Sequence, residues 1–173
     1  MNILFIGDII GRPGRDVAAA HLPRLRDALK LDLVIANGEN AAGGFGLTRA
    51  IAHEFYDIGI DVISTGNHWA DQKEIFTLIE EDDRILRPAN YPRGTPGKGA
   101  NLYQTAAGSV LVVNVMGRVF MDALDDPFAA VERELSACAL GEGADAIVVD
   151  VHAEATSEKM AMGHFCDGRA SLV

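Results

Sequence analysis

Asn67 and His68 stand side by side in Thr65-Gly66-Asn67-His68, directly after the apolar run 60–64. An amide oxygen can ligate a hard metal ion, and an adjacent imidazole can move a proton near neutral pH. Taken alone, such a pair is more often a turn with a surface histidine. Three further places repeat the pattern. Asp8 follows the apolar run 2–7, Glu39 and Asn40 follow 31–36, and His152 follows 144–151. Each is a ligand-type residue just past a run that reads as a buried parallel strand. In open α/β sheets ligands bind at that edge. If Asp8, Glu39, Asn40, Asn67, His68 and His152 share it, two carboxylates face each other in a partly dehydrated cleft. That is costly unless one protonates or cations lie between them. Mixed oxygen and imidazole ligands suit Mn, Fe, Zn or Mg. A carboxylate bridging two ions fits two-metal hydrolysis of a phosphoester, with a neighbouring imidazole protonating the leaving oxygen.

The elements that must position these residues alternate along the chain. A helix is expected over 16–30, after a Gly/Pro loop at 9–15, with Val17, Ala20, His21, Arg24, Leu25 and Ala28 at helical spacing. Thr48 fits the N-cap of a helix over 49–58 that Gly59 ends. Asp71-Gln72-Lys73-Glu74 resembles a capping box for a helix to 81, and orientation of His68 is the less favoured use of Asp71. Ile85-Leu86 reads as a brief strand, and 87–99 as a long loop stiffened by three prolines. Residues 102–105 and 110–115 make a hairpin, with Asn114 in its second strand. Asp126-Pro127 opens a helix to about 139, a short helix runs to about 165, and 170–173 begins another strand. His21, His53 and His164 fall in or near helices; His21 and His164 read as structural. The class is α/β with a mainly parallel core and mixed pairing at one side.

Composition narrows the function. The chain has 173 residues, one domain or a large part of one. It is 49% hydrophobic but only 6% aromatic, so its core must be mostly Ala, Val, Ile and Leu. Its formal charge of −10 argues against non-specific binding to nucleic acid or to an anionic membrane. Cys138 and Cys166 lack metal-site spacing and read as reduced thiols of a cytoplasmic protein. No apolar run reaches the roughly 20 residues of a membrane span, and the N-terminus reads as a strand rather than a signal peptide. Gly7, Gly11 and Gly14 have the wrong spacing for a dinucleotide fingerprint.

Several stretches together resemble one family. They are Phe5-Ile6-Gly7-Asp8, Asn37-Gly38-Glu39-Asn40-Ala41-Ala42, Thr65-Gly66-Asn67-His68, Arg87-Pro88-Ala89-Asn90, Gly94-Thr95-Pro96-Gly97-Lys98-Gly99 and 150–159. In order along the whole chain, they resemble the bacterial YmdB-type branch of the calcineurin-like metallophosphoesterases. The resemblance implies a sandwich of mixed β-sheets flanked by helices. It implies hydrolysis of 2′,3′-cyclic nucleotides at the 2′ bond, with some action on cyclic AMP. Two divalent ions would serve it, Mn or Fe first, with Mg or Zn compatible. Under the resemblance Asp8 and Asn40 bind one ion, Glu39 bridges both, Asn67 and His152 bind the other, and His68 donates the proton. Candidate substrate contacts are Asn90, Thr95, Arg118 and Thr156. The partner is a small cyclic nucleotide or phosphoester, and the family implies cytoplasmic homo-oligomers. Two residues depart from the wider superfamily: Ile10 stands where a histidine is usual, and Trp69 where an acid usually follows Gly-Asn-His. The family also continues beyond the strand at Ala170 into a Gly-Thr-His-Thr-His segment carrying two more ligands. The expectation is therefore a fragment lacking its C-terminal strands. Two other functions compete: a non-catalytic regulator that binds nucleotide or metal, and a broad phosphomonoesterase or protein phosphatase.

Overall fold

Short apolar runs in the first half become the strands β1 (Ile3–Ile6), β2 (Leu33–Asn37), β3 (Val62–Ser64) and β4 (Ile85–Leu86), side by side in that order in one sheet. β1 pairs with β2, and β2 with β3, in parallel, so the three chains leave the sheet at one edge. Every residue of β2 and β3 is buried, as continuous apolar strands require. The computed structural model describes residues 1–173 and divides into two compact units, 1–85 and 86–173.

In the first unit, α1 (Gly11–Leu29) begins five residues before the expected start at 16. Gly11 adopts a φ of 56° and its N–H donates to the Asn40 carbonyl at 2.9 Å. Pro13 then falls in the first turn, where a missing N–H removes no helical bond, so the Gly/Pro stretch is helix rather than loop. The face of α1 also differs from the apolar spacing read in sequence. Val17 and Leu25 are 61% and 41% exposed, while Leu22 is buried with Ala18 and Arg26 half-buried. Alanines on several sides of the helix left the inward stripe ambiguous. Asp61 fixes α1 to the sheet: its Oδ2 accepts from the Val34 N–H at 2.8 Å and from Arg26 Nη1 at 2.7 Å. α2 (Arg49–Asp57) starts at Thr48, whose hydroxyl accepts the Ile51 N–H at 3.2 Å. It buries Ile51, Ala52 and Phe55. α3 (Ile75–Glu81) starts after Glu74 with no side-chain cap, so the expected capping box at Asp71 does not form.

The second unit is built on a three-stranded sheet. β5 (Ala100–Thr105) and β6 (Gly108–Met116) form the antiparallel hairpin, and β6 pairs in parallel with β7 (Ala146–His152). His152 is the last residue of β7, opposite Met116. α4 (Pro127–Ala137) and α5 (Thr156–Phe165) bury Val131, Leu135 and Met162 with Leu111, Val113, Val115, Ile147 and Val149. Asp126 caps α4 by accepting the Phe128 N–H at 2.9 Å. The expected strand at 170 amounts to one parallel bridge, Leu172 with Val148. Gly99 lets the start of β5 pass close to Ala89, since a Cβ there would lie 2.2 Å from the Ala89 Cα. The architecture is thus α/β, one parallel sheet and one mixed sheet with helices.

Candidate active site

The exits of β1, β2 and β3 carry five of the residues singled out by their chemistry. Asp8 follows β1, Glu39 and Asn40 follow β2, and Asn67 and His68 follow β3. The strands position them because successive parallel strands end together. Gly38 allows the turn after β2: a Cβ on it would sit 2.8 Å from Ile63 Cγ2 and 3.0 Å from Phe55 Cε2. The turn buries Glu39 to 1% exposure, and its N–H donates to Asn37 Oδ1 at 3.1 Å.

Hydrogen bonds join the cluster. Asn40 Nδ2 donates to Asp8 Oδ2 at 2.8 Å and reaches Glu39 Oε1 at 3.5 Å. Two carboxylates therefore crowd one amide. The main-chain N–H of His68 donates to Glu39 Oε2 at 3.0 Å. His68 Nδ1 lies 2.7 Å from Asp71 Oδ2. That contact commits one ring nitrogen to Asp71 and presents Nε2 as the nitrogen for chemistry. Phe45 packs its ring edge-on to the imidazole, with centroids 5.3 Å apart. Gln72 Nε2 donates to the Phe45 carbonyl at 2.7 Å and holds that loop in place. No three His, Cys, Asp or Glu side chains form a group that could hold a metal ion. Asn40 and Asn67 add amide oxygens to the same strand exits.

Asp71 is the correction of most consequence. Sequence spacing favours it as a helix cap, and the structure gives it to His68. Trp69, where an acid is usual in the superfamily, is buried and packs edge-on against Phe76 at 5.4 Å. The signal for Asp71 was present in sequence as an aspartate three residues after the histidine. Phe45 carried no signal beyond its place in a glycine-rich loop. Ile10, at the superfamily's other variable place, is exposed at the head of α1.

The remaining candidates belong to the second unit. His152 is half-buried, and its carbonyl accepts the Gly117 N–H at 2.9 Å. Asn90 is 1% exposed, its Nδ2 donates to the carbonyls of Met116 and Asp125, and its Oδ1 accepts the Met116 N–H at 2.9 Å. Both ends of that amide hold backbone, so Asn90 serves the fold rather than contacting a substrate. The Thr95 hydroxyl donates to the Pro92 carbonyl at 2.8 Å. Arg118 has an exposed side chain, and its N–H donates to Glu158, as does that of Val119. Sequence reading missed Glu158, which fastens the turn after β6 by these bonds. Thr156 is exposed at the first turn of α5.

A family model described as YmdB-like protein matches residues 4–173. A Bacillus subtilis protein named 2′,3′-cyclic-nucleotide 2′-phosphodiesterase is 46% identical over all 173 residues. A crystal structure of a hypothetical protein from Thermus thermophilus is 51% identical with a TM-score of 0.91 over 99% of the chain. A structure described as a novel phosphatase from Mycoplasma pneumoniae is 27% identical with a TM-score of 0.87 over 96% of the chain. The chain spans 65% of the Bacillus protein, 66% of the Thermus chain and 60% of the Mycoplasma chain.

Proposed function

The chain belongs to the YmdB-like family, and from that premise we propose that it hydrolyses 2′,3′-cyclic nucleotides at the 2′ bond. The observation that carries this reading is the hydrogen-bonded series Asp8, Asn40, Glu39, His68, Asp71 at one strand edge. The name of the Bacillus relative, a 2′,3′-cyclic-nucleotide 2′-phosphodiesterase, supplies the substrate class. The donor set fits hard divalent ions, because Asp8 and Glu39 both approach the single Asn40 amide and neither carboxylate type nor amide favours a soft metal. Asp8, Glu39, Asn40 and Asn67 would hold them, with Mn or Fe as first choices. His152 is assigned as their nitrogen ligand on the family resemblance alone. When bound, such ions neutralise the phosphate and activate water.

The chain's own residues have these tasks. Glu39 accepts the main-chain N–H of His68, so the imidazole is registered to that carboxylate. Asp71 fixes the ring through its 2.7 Å contact with Nδ1. His68 then gives the Nε2 proton to the 2′ oxygen as the phosphorus–O2′ bond breaks. Water adds its oxygen to phosphorus, and the product is the nucleoside 3′-monophosphate. Thr95, Arg118 and Thr156 remain the proposed substrate contacts. Cytoplasmic location accords with the free thiols of Cys138 and Cys166. No helix is long and apolar enough to cross a membrane.

The test is initial-rate hydrolysis of 2′,3′-cyclic AMP with Mn, with excess EDTA, and with Glu39→Gln in Mn. EDTA should abolish turnover, and the variant should lose at least about a hundredfold in kcat. Undiminished turnover in EDTA would sink the metal-dependent reading.

A further inference from the structure

A cavity of about 460 Å3 beside the first turns of α4 has no part in the chemistry above. It lies wholly within the second unit, and its wall carries Arg87, Arg93, Arg133, Tyr91, Asp125 and Asp126. In this acidic chain most arginines are held by acids. Arg15, Arg26, Arg49, Arg84 and Arg169 each lie between 2.7 and 3.1 Å from a carboxylate. Arg87 does not. It is 8% exposed, and its guanidinium donates to the carbonyls of Pro88, Thr95, Pro96 and Gly97 at 2.7 to 3.2 Å. Those dipoles hold the charge in place without cancelling it. Burial lowers the Arg87 pKa from its ordinary value, with Tyr91 opposing and the like charge of Arg133 adding to the effect. The guanidinium stays protonated even so.

The other two arginines are available. Arg93 is exposed and forms no ion pair. Arg133 meets only its sequence neighbour Glu134, at 2.9 Å, in a pair whose arginine is 58% exposed and which binds weakly. The acids on the same wall pair with none of them, and three arginines stand against two aspartates. Asp126 is engaged in capping α4, and Asp125 forms no ion pair. The result is a concave space whose wall has more arginines than acids, together with hydrogen-bonding groups, on a molecule whose net charge is −10.

We propose that this cavity binds a phosphomonoester of about mononucleotide size. Arg93 and Arg133 take the dianionic phosphate, in a wall already charged by Arg87. The Asp125 carboxylate offers an acceptor to the hydroxyls of the attached sugar. The volume is that of a small-ligand pocket, for which roughly 300–1,000 Å3 is usual, and bare phosphate would leave most of it empty. The site is driven by arginines and needs no metal, which separates it from the carboxylates of Asp8 and Glu39.

The test is titration calorimetry on the purified protein in excess EDTA, with adenosine 3′-monophosphate, inorganic phosphate and adenosine as probes. The nucleotide should bind, phosphate should bind at least about tenfold more weakly, and adenosine more weakly still. An Arg93→Ala/Arg133→Ala double variant should lose at least about tenfold in nucleotide affinity at an unchanged Tm, since both side chains face solvent. Glu39→Gln should bind the nucleotide as the parent does. No nucleotide binding in EDTA, equal binding by the double variant, or a loss that appears in Glu39→Gln would each overturn the proposal. Phosphate binding as tight as the nucleotide's would overturn its size requirement. EDTA also silences metal-dependent turnover, so failure here is distinct from failure of the proposed reaction.

Discussion

Asp71 decides how His68 can work. A histidine that donates a proton must be held so that one nitrogen faces the leaving oxygen, and the 2.7 Å contact at Nδ1 does this. Asp71 touches no reacting atom in this scheme, so it is a positioning residue. Asp71→Asn keeps the shape and puts an amide where the carboxylate holds Nδ1, so the ring loses its fixed acceptor. The expected result is a fall in kcat of about tenfold or more, with KM changed much less and Tm unmoved. A parallel rise in KM with kcat intact would assign Asp71 to substrate binding instead. Trp69, between His68 and Asp71 in sequence, is instead buried against Phe76.

The strand exits place these side chains, and Gly38, at the exit of β2, is sharply constrained. A methyl group at Gly38 would press on Ile63 and Phe55 together, two fully buried side chains under the turn that carries Glu39. Gly38→Ala should destabilise the protein by about 1–3 kcal/mol. Chemical denaturation at constant m would measure it, and a change within about 0.3 kcal/mol would show that the neighbours yield. Much of this arrangement was legible from sequence. Unbroken apolar runs ending in Asp8, Glu39-Asn40 and Asn67-His68 announce parallel strands with a shared edge. What was not legible turns on competition between equally good local signals. Pro13 reads as a helix breaker, yet in the first turn it breaks nothing. Asp71 reads as a cap, yet His68 lies within reach and wins it. The α1 face read from Val17 and Leu25 competes with the one through Ala18 and Leu22, and apolar spacing does not rank them. Asn90 looks like a polar loop residue open to ligand until its three backbone partners are known.

Across the chain, titrating groups in both units bound the pH range of stability. Burial pushes the Asp82 carboxyl up, but bonds from Arg84 and Tyr56 outweigh it and hold it below the usual range. Arg169 first, then Ser136, holds Glu132 down, and the Ser109 N–H and hydroxyl hold Asp145 down. A lowered folded pKa means stability that is present above the unfolded value and lost as pH falls through the folded one. Burial raises the Cys166 thiol, so its contribution is present below the usual thiol range and lost as pH rises through the raised value. Thermal melts should therefore give a plateau near neutrality, a fall below about pH 4, and a further fall above about pH 9. An Asp145→Asn variant should melt below the parent at pH 7 and converge with it in strong acid; a gap that persists there would remove Asp145 from the account. The central claim is that His68 protonates the 2′ leaving oxygen at a metal-dependent site. It is tested most directly by separating the products of 2′,3′-cyclic AMP hydrolysis in Mn, for the parent and for His68→Ala. The account predicts 3′-AMP from the parent and a loss of about 10²–10⁴-fold in kcat for the variant. Formation of 2′-AMP, or a variant as fast as the parent, would contradict it.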